Sequence, residues 1–143
     1  MTLPNNQTSD IQLNNWGQKY IKGFRGVINR NDIDKYAPNM KGGQSLIINL
    51  DPGYHRGGTH WTSLRYSSES PYIAFYKDSF GMVPPDNIIK SVHNSGRHII
   101  YGNNIYQKLK EQNCGKRAAY FLRDMSNASD NNMELEYFEN LEK

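Results

Sequence analysis

Apolar and polar positions alternate most clearly in the middle of the chain. Thr59–Tyr66 and Tyr72–Asp78 are rich in β-branched and aromatic residues, and they flank the polar connection Ser67-Ser68-Glu69-Ser70-Pro71. The pattern predicts an antiparallel hairpin centred on Glu69, a register that sets His60 opposite Asp78. Directly opposed residues on one face have Cβ atoms about 4.5–5.5 Å apart, within reach of an imidazole–carboxylate hydrogen bond. A slip of one residue would put the two on opposite faces. Ser45–Leu50 reads as a buried strand closed by Asp51-Pro52-Gly53, and Arg97–Tyr101 as another strand.

The helical signals lie around these strands. Ser9 followed by Gln12 forms a capping-box pattern, with Ile11, Trp16 and Tyr20 as the apolar face of a first helix and Gly17 working against it. Residues 23–44, rich in Gly, Asn and Asp, read as irregular connection. Pro84-Pro85-Asp86 announces a helix through roughly Val92. Cys114–Met125 is helical in pattern, with Ala118, Ala119, Phe121, Leu122 and Met125 facing inward. Ser126–Asn132 breaks that pattern, and Leu135, Phe138 and Leu141 mark a short end helix. The sum is an α+β fold, a mostly antiparallel central sheet flanked by helices. It is expected to form one domain over residues 1–143, with an acidic tail from about residue 130.

Size and charge narrow the function. A chain of 143 residues makes one domain, and such a domain buries roughly 70% of its unfolded surface. No apolar run approaches the ~20 residues of a membrane span, and no basic-then-apolar leader opens the sequence. The expectation is an intracellular protein, not secreted and not in a membrane. The net charge of +3 is unevenly spread: residues 130–143 hold five acids against Lys143, a net −4, which leaves +7 for residues 1–129. A body that basic attracts polyanions such as DNA non-specifically, although a plain solvated surface reads equally well.

The single Cys, Cys114, excludes an intramolecular disulfide and a cysteine-based zinc finger. It opens the helix that starts there, where the positive end of the helix dipole favours an anion and Lys116 and Arg117 add to it. A cysteine hydrolase needs a thiolate, an imidazole, a group orienting that imidazole, and oxyanion donors. The chain offers Cys114, His60, Asp78 and Gln107 for those parts, with Gln112 competing for the last. Of the other histidines, His55 reads as surface, and His93 and His98 sit at helix and strand ends. Trp61 reads as part core and part cleft wall. The bland alternatives are an inert core Cys114, a hydrogen-bonded strand histidine at 60 and a turn-starting Asp78. No metal or cofactor is expected.

Gly57-Gly58-Thr59-His60-Trp61, Asp78-Ser79-Phe80-Gly81, Gln107 and Asn113-Cys114-Gly115 together resemble the adenain family, the adenovirus-type maturation proteases. More broadly they resemble the cysteine protease clan that includes SUMO-deconjugating enzymes. Adenains carry Gly-Gly-x-His-Trp, an acid followed by x-Phe-Gly, and a Gln seven residues before Cys-Gly. The resemblance covers residues 57–115 and implies the clan's fold, with the active site between the Cys114 helix and the strands bearing His60 and Asp78. It implies catalytic roles for His60, Asp78, Cys114 and Gln107, and substrate-binding roles for Gly58 and Trp61. It further implies viral capsid precursors as substrates, cut beside small residues during virion maturation. The expected setting is the virion and the infected host cell, and the expected state a monomer.

Two departures from the family matter. The acid is Asp78 where adenains have Glu, and the cysteine pair that follows the nucleophile in adenains is absent, with Lys116 and Arg117 nearby instead. Adenains are activated by DNA and by a disulfide-linked peptide. Here an activating peptide would have to bind without a disulfide. A ubiquitin- or SUMO-like deconjugase is the alternative enzyme, and a non-enzymatic DNA- or capsid-binding protein the alternative outside enzymes.

Overall fold

A computed structural model describes residues 2–3, 9–50, 60–102 and 114–142. Helix α1 (Asp10–Tyr20) begins at its capping box: the Gln12 N–H donates to Ser9 Oγ, and the Ser9 N–H to Gln12 Oε1. Leu13, Trp16 and Gly17 face inward, whereas Ile11, expected on that face, is 69% exposed. Ile11 lies five residues before Trp16, about 140° round a helix with 3.6 residues per turn, while Leu13 lies only three before it. Gly17 is a packing requirement, since any Cβ there would overlap the Phe24 ring.

Residues 23–44 are not irregular. They form strand β1 (Phe24–Asn29) and, between two 3-10 turns, the short helix α2 (Ile33–Tyr36). Gly26, at φ +138°, sits where the register with the next strand shifts, and this bulge hides the strand pattern. The chain continues through β2 (Ser45–Asn49), β3 (Trp61–Tyr66), β4 (Ile73–Lys77), α3 (Asp86–Asn94), β5 (His98–Tyr101), α4 (Cys114–Ser129) and α5 (Glu134–Leu141). The five strands form one sheet in sequence order, antiparallel at β2–β3–β4, with β1 and β5 parallel to their neighbours at the edges. Architecture and fold class are α+β, as the sequence predicts.

Strand alternation sends side chains into two cores, one on each face. Trp61 and Phe75 pack with Leu13, Trp16, Leu122, Met125 and Phe138 in the core beneath α1, α4 and α5. Leu64, Tyr66, Ala74 and Tyr76 pack with Ile33, Ile88 and Val92 beneath α2 and α3. Helix α4 runs past Met125 to Ser129, because Ser126 is buried and Ser129 Oγ meets Ser68 Oγ at the hairpin tip.

The hairpin exists, but its register differs from the expected one by two residues. Ser63 pairs with Lys77 and Leu64 with Tyr76, a register that, continued, sets Thr62 and not His60 opposite Asp78. The turn centres on Ser70. Ser67 Oγ accepts from the Glu69 and Ser70 N–H groups, at 3.1 and 2.9 Å, and Arg97 Nη1 donates to the carbonyls of Ser67, Ser70 and Ile73. A shift of two preserves the face, so His60 and Asp78 become diagonal neighbours of the same parity.

Candidate active site

His60 lies one residue before β3, where its carbonyl still accepts from the Leu50 N–H at 3.0 Å. Asp78 lies one residue beyond β4. Both side chains are buried, and His60 Nε2 meets Asp78 Oδ1 at 2.9 Å. Asp78 is fixed by its own turn, with the Phe80 N–H donating to Oδ1 at 2.8 Å and the Gly81 N–H to the Asp78 carbonyl at 2.9 Å. Gly81 adopts φ +71°, the left-handed conformation that favours glycine. The Phe80 ring packs on the imidazole with centroids 5.0 Å apart. The Asp-x-Phe-Gly motif therefore supplies a carboxylate, a turn and a clamp for the histidine. Phe80 packs on His60, a contact that spacing alone does not assign, although Phe80 stands in the motif.

Cys114 is the first residue of α4, is 6% exposed, and is hydrogen-bonded to His60. With Nε2 directed at Asp78, Nδ1 is the ring atom left to face the thiol. Burial works against a charged imidazole, but the hydrogen bond to Asp78 and then the one to Cys114 outweigh it. Together they carry the His60 pKa from 6.5 up to about 9. The structure thus places the imidazole between a buried carboxylate and the thiol, where its charged form is favoured. Asp78 Oδ2 has no partner among the described residues.

Trp61 opens β3, paired with Asn49 of β2, and belongs to the core beneath α4. One face of it lines a cavity of about 390 Å³ that Cys114, Ser79, Lys77 and Phe121 also border. Lys77 and Lys116, which also lines it, are wall residues the sequence reading did not weigh as binding groups. Gln107, Gln112 and Gly58, like His55, lie outside the described residues. His93, on α3, and His98, on β5, stand apart from the His60 pair. Among the described residues no cluster of three or more His, Cys, Asp or Glu is placed to hold a metal ion, and no helix is long and apolar enough to cross a membrane.

No protein-family model matches the chain, and no curated protein does. Solved structures do. The ASFV pS273R protease superposes with a TM-score of 0.63 at 13% identity, over 92% of this chain and 62% of that one. A Se-Met structure of the same protease gives 0.51 at 13% identity, over 87% and 60%. The chain spans about three fifths of that protease's length, and it has that protease's fold.

Proposed function

We propose that this chain is a cysteine endopeptidase in which Cys114 is the nucleophile, His60 carries the proton and Asp78 orients His60. One observation carries the reading. It is the buried relay from Asp78 Oδ1 to His60 Nε2 at 2.9 Å and on to Cys114 at the start of α4. Transfer of the Cys114 S–H proton to His60 gives the thiolate–imidazolium pair that such chemistry starts from. The sulfur bonds to the scissile carbonyl carbon as the C=O π pair moves onto oxygen. That oxyanion accepts from the Cys114 N–H, one of the N–H groups a helix start leaves without an intrahelical acceptor. The Gln107 amide is the proposed second donor, and losing one such donor costs roughly 10²–10³ in rate. His60 then gives its proton to the leaving amine as the C–N bond breaks. Deprotonated, it takes a proton from water, which cleaves the thioester. Asp78 stays ionised throughout and holds the ring in orientation.

The proposed substrates are viral capsid precursors, cut beside small residues such as glycine during virion maturation, in the virion and infected cell. The fold shared with a virus protease supports this, as do the Gly57-Gly58-x-His60-Trp61 and Asn113-Cys114-Gly115 motifs. Gly58 and Trp61 are proposed to wall the site. The test is a library of glycine-containing peptides incubated beside ubiquitin and SUMO conjugates. The wild-type chain should cut peptides and spare the conjugates, and Cys114→Ala should cut nothing while melting normally. Cleavage by Cys114→Ala sinks the assignment; cleavage of conjugates alone turns it to deconjugation.

A further inference from the structure

Two buried polar atoms with no hydrogen-bond partner among the described residues belong to side chains that face each other across the sheet. One is Asp78 Oδ2, and the other is Thr62 Oγ1 of β3. The register that pairs Ser63 with Lys77, continued by one residue, sets Thr62 directly opposite Asp78. Opposed positions on one face hold their Cβ atoms about 4.5–5.5 Å apart. One atom belongs to a hydroxyl that can donate, the other to a carboxylate that only accepts when ionised.

Thr62 stands in apolar surroundings. It is wholly buried and pairs with Ile48 of β2, and Ile48 and Leu64 belong to the core beneath α2 and α3. Strand alternation puts the Thr62 side chain on the face that carries Leu64. Valine has the same shape without a hydroxyl to desolvate, and an unpaired hydroxyl in such a place costs free energy. Asp78 is in the complementary position. Its Oδ1 meets His60 Nε2 at 2.9 Å and accepts from the Phe80 N–H at 2.8 Å. A carboxylate held at one oxygen alone still turns about its Cβ–Cγ bond, whereas a donor at Oδ2 fixes its plane. A hydroxyl where an apolar residue fits, opposite a carboxylate oxygen that lacks a donor, breaks a local rule twice, and one hydrogen bond restores both.

Resting on the peptidase reading, we infer that Thr62 is a positioning residue of the relay. By a step between staggered rotamers its hydroxyl donates to Asp78 Oδ2 and keeps Oδ1 aimed at His60. His60 and Thr62, two residues apart on one face, then grip the carboxylate by its two oxygens.

Two variants of the full chain test this: Thr62→Val removes the hydroxyl and keeps the shape, and Thr62→Ser keeps the hydroxyl. On glycine-containing peptides Thr62→Val should lower kcat about tenfold with KM unchanged, as loss of a hydrogen bond to a charged group does. Thr62→Ser should restore most of that rate. Urea unfolding supplies a readout that needs no substrate. Thr62→Val should lower the midpoint in the wild-type chain, and leave it level or raise it in Asp78→Ala, where no acceptor remains. A hydroxyl without a role gives the opposite result: Thr62→Val raises the midpoint in both chains, kcat stays as it was, and the inference falls. A lowered midpoint with kcat unchanged also overturns it, since the contact then serves stability alone. Should Asp78→Ala fail to fold, the sign of the midpoint shift in Thr62→Val decides. If no peptide is cut, the peptidase reading fails, and the rate of Cys114 alkylation by iodoacetamide takes the place of kcat. A rate that falls in Thr62→Val and returns in Thr62→Ser upholds the positioning of His60, and equal rates in all three chains end it.

Discussion

Strand β3 has a buried ion pair near each end, and the two pairs differ in how completely they are satisfied. Near its C-terminal end Arg65 Nε meets Glu134 Oε2 at 2.8 Å, with both side chains almost wholly buried. Both oxygens of Glu134 are used: Oε1 accepts from Ser67 Oγ at 2.6 Å and the Glu69 N–H at 3.2 Å, and Oε2 also accepts from the Ser68 N–H at 3.2 Å. The Glu134 N–H returns a bond to Glu69 Oε2 at 2.9 Å. This network pins α5 to the hairpin tip. At the other end, Asp78 spends Oδ1 on two donors, and Oδ2 has none among the described residues. A buried polar network that is fully satisfied rigidifies and specifies the structure around it. The same strand thus carries one pair with every oxygen used and, on the proposed reading, one that serves chemistry.

Substitution should separate the two by which quantity moves. The largest expected effect is on rate: Asp78→Asn should lower kcat about 10³–10⁴-fold by letting the imidazole take the wrong tautomer. Steady-state kinetics would show it, beside a circular dichroism spectrum that stays that of the wild type. Glu134→Ala should act the other way. Leaving Arg65 buried without its partner should cost about 3–5 kcal/mol in urea unfolding, with kcat per folded molecule little changed. The apolar double replacement Arg65→Met/Glu134→Leu should recover only part of that loss, because the Ser67 hydroxyl and the Ser68 and Glu69 N–H groups lose their acceptor. If Glu134→Ala instead left stability intact, the pair would not be the pin described here.

The two pairs should also fail at opposite ends of the pH scale. Burial opposes ionisation of Glu134, but the hydrogen bonds from Ser67 and Arg65 hold its carboxyl below the usual carboxylate range. Its stabilisation is present above the ordinary carboxylate pKa and is lost as pH falls through the lowered one. His60 behaves in reverse. Folded, it keeps its proton up to about pH 9, while the unfolded chain releases it near 6.5. Its stabilisation is complete below 6.5 and fades as pH rises through about 9, by about 3 kcal/mol in all. Unfolding measured from pH 6 to 10 should show that decline in the wild type and a flatter profile in Asp78→Asn. The smallest effect expected is for Phe80→Ala, about tenfold in kcat/KM, because a looser imidazole spends less time aligned. No change there would remove Phe80 from the positioning set.

Much of this was legible in residues whose partners are close in sequence. Ser9 and Gln12 cap α1 across three positions, and Pro85-Asp86 starts α3. The turn after β4 closes between Asp78 and Gly81. What escaped depends on distant groups. Arg97 reaches from the β5 side to fix the hairpin turn and, with Ser67, moves its centre from Glu69 to Ser70. Phe24 explains Gly17 from across a loop, and the bulge at Gly26 hides β1. His60 and Asp78 still meet, because a two-residue shift keeps the face and their side chains reach one step diagonally. The cations of the cavity wall were legible as charges near Cys114; that Lys77 joins them required β4 to pair with β3, on which α4 packs.

Asp78 and His60 come from a single hairpin, closed over a short stretch of chain, while Cys114 comes with α4. The same helix buries Ala119, Leu122 and Met125 in the larger core. Sulfur and imidazole therefore meet only when that core has closed. Contacts so far apart in sequence are the late, slow ones in folding. A chain that has closed only the hairpin holds the His60–Asp78 pair without Cys114 beside it, so on the proposed reading the ability to cut would arrive together with the finished fold.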